Sequence, residues 1–159
     1  MKRFTSLAIV FLSVGPLAAQ PNFEVPKAVA IDAETLTKIE GKIEDLKVAL
    51  DGLPRTLAAG IREDVEVYHK AAVWMVRHGE YFAKDTAKQT LAVLDAGLER
   101  AKHAAKGEAP WRDLRGKPVV RGHYSPVDGS IQPMSVLVPA DLDPTKPGFH
   151  IVVVLHGRD

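Results

Sequence analysis

The chain's clearest chemical pattern is the apolar run at residues 151–155 followed by His156, Gly157 and Arg158. A short unbroken run of β-branched residues and leucine is typical of a strand buried on both faces, as in the middle of a parallel sheet. Glycine directly after such a strand lets the backbone turn sharply. The N–H groups of that turn could then hold a tetrahedral oxyanion, which requires fixed donors. Because ligands of open α/β sheets bind at the carboxyl ends of the strands, residues 156–158 are the first candidate site in the chain.

Two further strands are predicted upstream of this run, at residues 118–124 and 134–138. Between them lies Asp128-Gly129, a strong turn signal, so the two strands should form a β-hairpin. Gln132-Pro133 should lead into the second strand. Arg121 and Asp128 are expected to pair across the hairpin in an exposed contact of little energetic weight.

The hairpin and the apolar run together resemble the start of secreted bacterial esterases and prolyl-oligopeptidase-like enzymes, which are α/β-hydrolases. In these proteins the third strand often ends in His-Gly, and the loop after it supplies a backbone N–H to the oxyanion hole. The resemblance therefore implies that His156, Gly157 and Arg158 supply part of an oxyanion hole through their backbone. The resemblance covers roughly residues 119–158, about a quarter of the chain. It rests on four segments: Val119-Val120-Arg121-Gly122-His123-Tyr124-Ser125, Val127-Asp128-Gly129-Ser130-Ile131-Gln132-Pro133, Val136-Leu137-Val138-Pro139, and Ile151-Val152-Val153-Val154-Leu155-His156-Gly157-Arg158.

The resemblance implies an α/β fold class, with residues 109–159 as the truncated start of an α/β-hydrolase domain. It implies acyl transfer from a small-molecule ester or peptide substrate to a serine, and then to water. The nucleophile motif Gly-x-Ser-x-Gly is absent, and the acid and the histidine follow the serine in this fold. The sequence therefore predicts no nucleophile or triad in this chain, which should be inactive alone. Because a central strand needs neighbours on both edges, we expect the chain to be the front part of a longer protein.

The residues before the hairpin predict a helical accessory region at 32–108. The first helix should begin after Asp32, a suitable N-cap. Its apolar residues form one stripe, which should pack against its own chain rather than form a dimeric coiled coil. A second helix is predicted over 64–78, ended by Gly79. A third is predicted from Asp85 to about residue 106, with Gly97 allowing close approach. The stripe of the first helix is Leu36, Ile39, Ile43, Leu46 and Leu50.

The N-terminal segment has the build of a secretory signal peptide at residues 1–19, followed by a linker at 20–31. Lys2 and Arg3 begin it, an apolar stretch follows, and Ala18-Ala19 offers small residues for cleavage. We expect a secreted or periplasmic protein with no stable membrane span after cleavage. The net charge of +1 gives no indication of a nucleic-acid partner.

Neither a metal site nor a cofactor site is predicted. Cysteine is absent, so thiolate sites are excluded. His69 and His78 are nine residues apart on one predicted helix, whereas zinc pairs on a helix need spacings of three or four. The aromatic residues Trp74, Tyr81, Phe82 and Trp111 are expected to pack in the core rather than form a platform for sugars.

A second interpretation stays open at this stage. The chain could be a non-catalytic exported module, a three-helix bundle with a small β unit that binds a partner or a polymer. The clean apolar stripe of the first helix favours it. The substrate and the oligomeric state are not determined by the sequence.

Overall fold

The computed structural model describes residues 27–143, 145–146, 148 and 150–155. The predicted signal peptide lies outside these residues. Three helices followed by an antiparallel hairpin are confirmed, and a short 3-10 helix that the sequence did not predict joins the two parts. The elements are α1 (Ala33–Asp51), α2 (Ile61–His78), α3 (Thr86–Ala104), the 3-10 helix η1 (Pro110–Asp113), β1 (Pro118–Tyr124) and β2 (Ile131–Leu137).

Helix α1 begins at the predicted cap. The Asp32 carboxylate accepts hydrogen bonds from the backbone N–H and from the hydroxyl of Thr35, both at 2.8 Å. Thr35 therefore donates to the cap from the position where a capping box would carry Glu or Gln. Ile39, Leu46 and Leu50 of the predicted stripe are buried. They join the common core with α2 and α3, which confirms that the stripe packs against its own chain.

Helix α2 begins one turn earlier than predicted, at Ile61. Gly60, just before it, has a φ of 80°, a left-handed conformation that favours glycine. The earlier start places Asp64 inside the first turn of the helix. Its side chain is completely buried there. Gly79 ends the helix as predicted, with a φ of 61°.

Helix α3 packs on α1 and α2 through small residues. A Cβ added at Gly97 would lie 2.7 Å from Cδ2 of Leu46 and 2.8 Å from Cβ of Tyr68. The absence of a side chain at Gly97 thus lets three helices meet at one point, as the sequence predicted. Leu94, Ala101 and Ala104 are buried on the same helix.

The hairpin pairs Pro118 with Leu137 at one end and Tyr124 with Ile131 at the other. Its second strand begins at Ile131, three residues before the prediction, and so includes Pro133. The N–H of Ser125 donates to the carbonyl of Ser130. Counting from this pair, hydrogen-bonded and non-hydrogen-bonded residue pairs alternate along the two strands. Gly122 and Pro133 then form a pair whose backbone groups point away from each other. Proline is tolerated there because no N–H is needed.

The predicted strand at residues 151–155 is not formed. These residues have no regular secondary structure, and their side chains are 75–91% exposed. A strand buried on both faces needs covering layers and neighbouring strands. Among the described residues only a two-stranded sheet is present, and it does not supply them.

The hairpin is seated on α2 through Gly122. A Cβ at this position would lie 2.0 Å from the carbonyl oxygen of Glu63 and 2.5 Å from its carbonyl carbon. These are backbone atoms of a helix, so they cannot move aside as a flexible side chain can. The close approach of strand and helix therefore depends on glycine at this position.

We expect Gly122→Ala to destabilise the protein by about 2–3 kcal/mol, because the new methyl group would separate β1 from α2. Urea unfolding followed by circular dichroism would measure the loss. Gly41→Ala is the matched control, since Gly41 is exposed inside α1 and nothing lies within 4 Å of its added Cβ. That change should stabilise the helix by up to about 1 kcal/mol. Equal effects of the two substitutions would contradict the proposed steric role of Gly122.

Candidate functional site

The site predicted from the sequence, His156, Gly157 and Arg158, lies outside the described residues. The residues just before it, 151–155, are exposed and do not pack against the hairpin or the helices.

The most developed polar cluster of the described residues is centred on Asp64. Its buried carboxylate accepts hydrogen bonds from Trp111 Nε1 at 2.9 Å, Arg112 Nε at 3.1 Å and the backbone N–H of Gly122 at 3.0 Å. Arg121 Nε donates to both carboxylate oxygens at 2.8 Å. We call these five residues the Asp64 cluster. It joins α2 to η1 and to β1.

Arg100 of α3 extends the cluster. Its Nη1 donates to the backbone carbonyl of Asp64 at 3.0 Å and to that of Val120 at 2.8 Å. Its guanidinium carbon lies 4.8 Å from the ring centroids of both Tyr68 and Trp111. A cation held over two aromatic rings while donating to two backbone carbonyls links α3 to α2, η1 and β1 at once.

The charge of Asp64 is stabilised by its partners. Burial of the carboxyl opposes ionisation, but the hydrogen bonds from Trp111, Arg121 and Gly122 outweigh it and hold the pKa of Asp64 below its ordinary value. A general base must also have a lone pair within reach of a substrate proton. Both oxygens of Asp64 are already occupied by donors and hidden from solvent, so the cluster is structural rather than catalytic.

Sequence reasoning missed this cluster and paired Arg121 with the wrong acid. Asp128 accepts from the backbone N–H of Ser130 at 3.1 Å and from its hydroxyl at 2.9 Å, and so holds the hairpin turn. Arg121 reaches Asp64, 57 residues away in sequence. The available signal was an acid among the apolar residues of one helix face, between Ile61 and Tyr68.

The aromatic prediction is confirmed for two residues and wrong for two. Tyr81 and Trp111 are buried, at 5% and 6% exposure. Trp74 and Phe82 are 49% and 44% exposed. Trp74 contacts the ring of His78 edge-on, with 5.4 Å between the centroids, and it lines an apolar groove between the helices and the hairpin.

Two of the described histidines have charged neighbours. Burial and the nearby Lys47 lower the pKa of His69. His103 contacts Glu108 at 3.0 Å, near the end of α3. Within the described residues, no group of three or more histidine or carboxylate side chains is placed to hold a metal ion.

Fold and site together define a three-helix unit with an antiparallel hairpin fastened to its second helix by a buried carboxylate. No known family model, curated protein or solved structure matches the chain. None of the helices in the described part is long and apolar enough to cross a membrane.

We expect Asp64→Asn to destabilise the protein by about 3 kcal/mol, because it leaves Arg112 and Arg121 largely buried without their anion. Asp95→Asn is the matched control. It removes the same charge from an exposed pair with Lys42 and should cost less than about 1 kcal/mol. Urea unfolding of both variants measures the difference, and a similar loss in each would show that the cluster does not hold the fold together.

The contribution of Asp64 to the free energy of unfolding should also depend on pH, and it should be lost only on acidification. Because its pKa is lower in the folded state, the stabilisation is complete above the unfolded-state pKa of about 3.9 and is lost as the pH falls through the folded value. The difference in unfolding free energy between the wild type and Asp64→Asn should therefore be constant from about pH 5 to 8 and shrink below about pH 4. A difference that shrinks already between about pH 5 and 7 would contradict the lowered pKa.

Proposed function

We propose that this chain is the N-terminal part of an exported serine hydrolase that cleaves ester or peptide bonds. In this proposal the three helices form an accessory region, and the hairpin begins the sheet of an α/β-hydrolase domain. The exposed apolar run at residues 151–155 carries the proposal. The resemblance of residues 119–158 to secreted esterases and prolyl-oligopeptidase-like enzymes supports it.

The exposure of this run is energetically costly. Its five consecutive aliphatic side chains are 75–91% exposed. Burying one such side chain contributes about 1.5–3 kcal/mol, so covering all five would contribute on the order of 10 kcal/mol. That is comparable to the whole stability of a typical domain. A segment of this kind is expected to be covered in the working protein, and a larger sheet with helices on its faces would cover it.

The edges of the hairpin support the same proposal. At the outer edge of β1, the N–H of Gly122 donates to Asp64 and the carbonyl of Val120 accepts from Arg100. Pro118 has no N–H to offer. A further strand at this edge would have to displace both hydrogen bonds, so the sheet is terminated on the β1 side.

The outer edge of β2 is more open. Lys70 donates to the carbonyl of Ile131 at 2.5 Å, and Pro133 has no N–H. Beyond them, Ser135 forms a non-hydrogen-bonded pair with Val120, because such pairs alternate with hydrogen-bonded ones along the hairpin. The N–H and carbonyl of Ser135 therefore point away from β1. A sheet can therefore be extended from β2, which is the arrangement that a hairpin at the margin of a larger sheet requires.

The chemistry of the proposal is acyl transfer. A serine hydroxyl attacks the substrate carbonyl and loses its proton to a histidine, and the leaving alcohol or amine takes that proton. Water then releases the acid and regenerates the serine. His156, Gly157 and Arg158 would bind the oxyanion through their backbone. The sequence contains no Gly-x-Ser-x-Gly motif, so the proposal places the serine, the acid and the histidine in a continuation of the chain. Export through residues 1–19 is part of the same proposal.

The first test uses the 159-residue chain. We expect it to give no turnover of p-nitrophenyl acetate above a heat-denatured control, because no triad is present. A fluorophosphonate probe, which labels activated serines, should also leave it unlabelled. Labelling of the folded chain would show a nucleophile that the proposal excludes.

The second test uses the reading frame in the source genome. We expect it to continue into a Gly-x-Ser-x-Gly motif within roughly a hundred residues, followed by an acid and then a histidine. The longer protein should react with the fluorophosphonate probe, and replacement of the motif serine by alanine should abolish labelling. A stop codon directly after Asp159, with a folded and monodisperse product, would overturn the hydrolase proposal.

That outcome would favour the second candidate, a non-catalytic exported binding module. The specific observation behind it is the apolar groove beside the half-exposed Trp74. A module of this kind would need no triad and would keep its binding properties in the 159-residue chain.

A further inference from the structure

An apolar groove lies where α2, α3 and the hairpin meet. Its volume is about 440 Å³, within the range of roughly 300–1,000 Å³ that small organic ligands occupy in proteins. Its apolar surface comes mainly from Val67, Ala71, Trp74, Val93, Val120 and Pro133.

The groove exposes apolar surface that the fold has not used. Trp74 is 49% exposed and Val120 is 42% exposed. Helix and hairpin are held at a fixed distance here, because Gly122 packs directly on the backbone of α2 and the Asp64 cluster fastens the strand. The groove is therefore preformed, because α2 and the hairpin are held too firmly to move together and fill it.

A lysine ammonium marks one end of the groove. Lys70 also lines it, and its half-buried side chain places Nζ 2.5 Å from the carbonyl oxygen of Ile131 and 4.7 Å from the ring centroid of Trp74. Both contacts are attractive and both partners are neutral. The nearby Glu66 carboxylate instead accepts a hydrogen bond from the hydroxyl of Tyr124.

The charge of Lys70 is thus fixed in position without a counter-ion. Among the described residues no carboxylate lies within 4.0 Å of its Nζ. An ammonium group has three donors, and Ile131 takes one of them. A ligand with an apolar body and an anionic end would complement both the groove and this cation.

We propose that the groove binds a free amphipathic carboxylate, with its apolar chain against Trp74 and Val120 and its carboxylate on Lys70. The inference is independent of the hydrolase proposal, because the residues that line the groove lie between Val67 and Pro133 and the argument uses neither residues 151–158 nor a catalytic triad. It applies equally to an accessory region and to a binding module.

Decanoate, kept below its micellar concentration, tests the inference on the 159-residue chain. Titration calorimetry should show saturable binding of one decanoate per chain, with a dissociation constant below about 1 mM. Trp74 is one of only two tryptophans, and the other, Trp111, is buried, so tryptophan fluorescence should change with the same midpoint. Decyltrimethylammonium, which has the same chain length and the opposite charge, should bind at least tenfold more weakly.

Variants separate the charge from the apolar contact. Lys70→Met should weaken decanoate binding about tenfold or more and remove the preference over decyltrimethylammonium. Lys47→Met, which removes an exposed lysine on α1, should change neither. Ala71→Phe should fill the groove and weaken binding of both compounds. Circular dichroism should show that all three variants are folded, as expected for substitutions at partly or fully exposed positions.

Several outcomes would overturn the inference. They are the absence of saturable decanoate binding, an equal affinity for the cationic compound, and decanoate binding that Lys70→Met leaves unchanged. Self-association of the chain that Ala71→Phe abolishes, without decanoate binding, would show instead that the groove is an interface between two copies.

Discussion

The carboxylate of Asp64 is the contact on which the rest of this structure depends. A two-stranded hairpin is at best marginally stable alone in water. Here it is fixed to the helices by a buried anion that accepts hydrogen bonds from η1 and from both the backbone and a side chain of β1. Burying a charge is costly unless its partners compensate, and four residues contribute donors to this one. The cluster therefore fixes the position of the hairpin on the helices, because only one placement brings all the donors to the carboxylate.

The same contact determines which surfaces of the molecule remain open. Because Asp64 and Arg100 bind the outer edge of β1, only the edge of β2 can accept another strand. Because Gly122 rests on the backbone of α2, the hairpin leaves a groove beside Trp74 instead of covering it. An open strand edge and an open apolar groove are both typical of surfaces at which proteins bind strands or ligands.

The sequence predicted the elements better than the way they assemble. The helices and the hairpin follow from local signals, namely the spacing of Ile39 and Leu46, the cap at Asp32, and the turn at Asp128-Gly129. These signals act over a few residues. The partners of Asp64 could not be inferred this way, since they lie 47–58 residues further on. An acid at the start of a helix is ordinarily read as a favourable charge for the dipole, which hid its burial.

The run at residues 151–155 shows the opposite relation between sequence and structure. Its composition predicts a buried strand because β-branched residues gain most when covered on both faces. The structure leaves it exposed, although residues with such a gain are ordinarily the first to be covered. A segment remains uncovered when no complementary surface is within reach. The β1 edge is engaged, and the groove beside Trp74 carries a cation that a purely aliphatic strand cannot satisfy. The described residues therefore offer no full partner for this segment, and that mismatch between its composition and its exposure is the observation behind the proposal of a larger sheet.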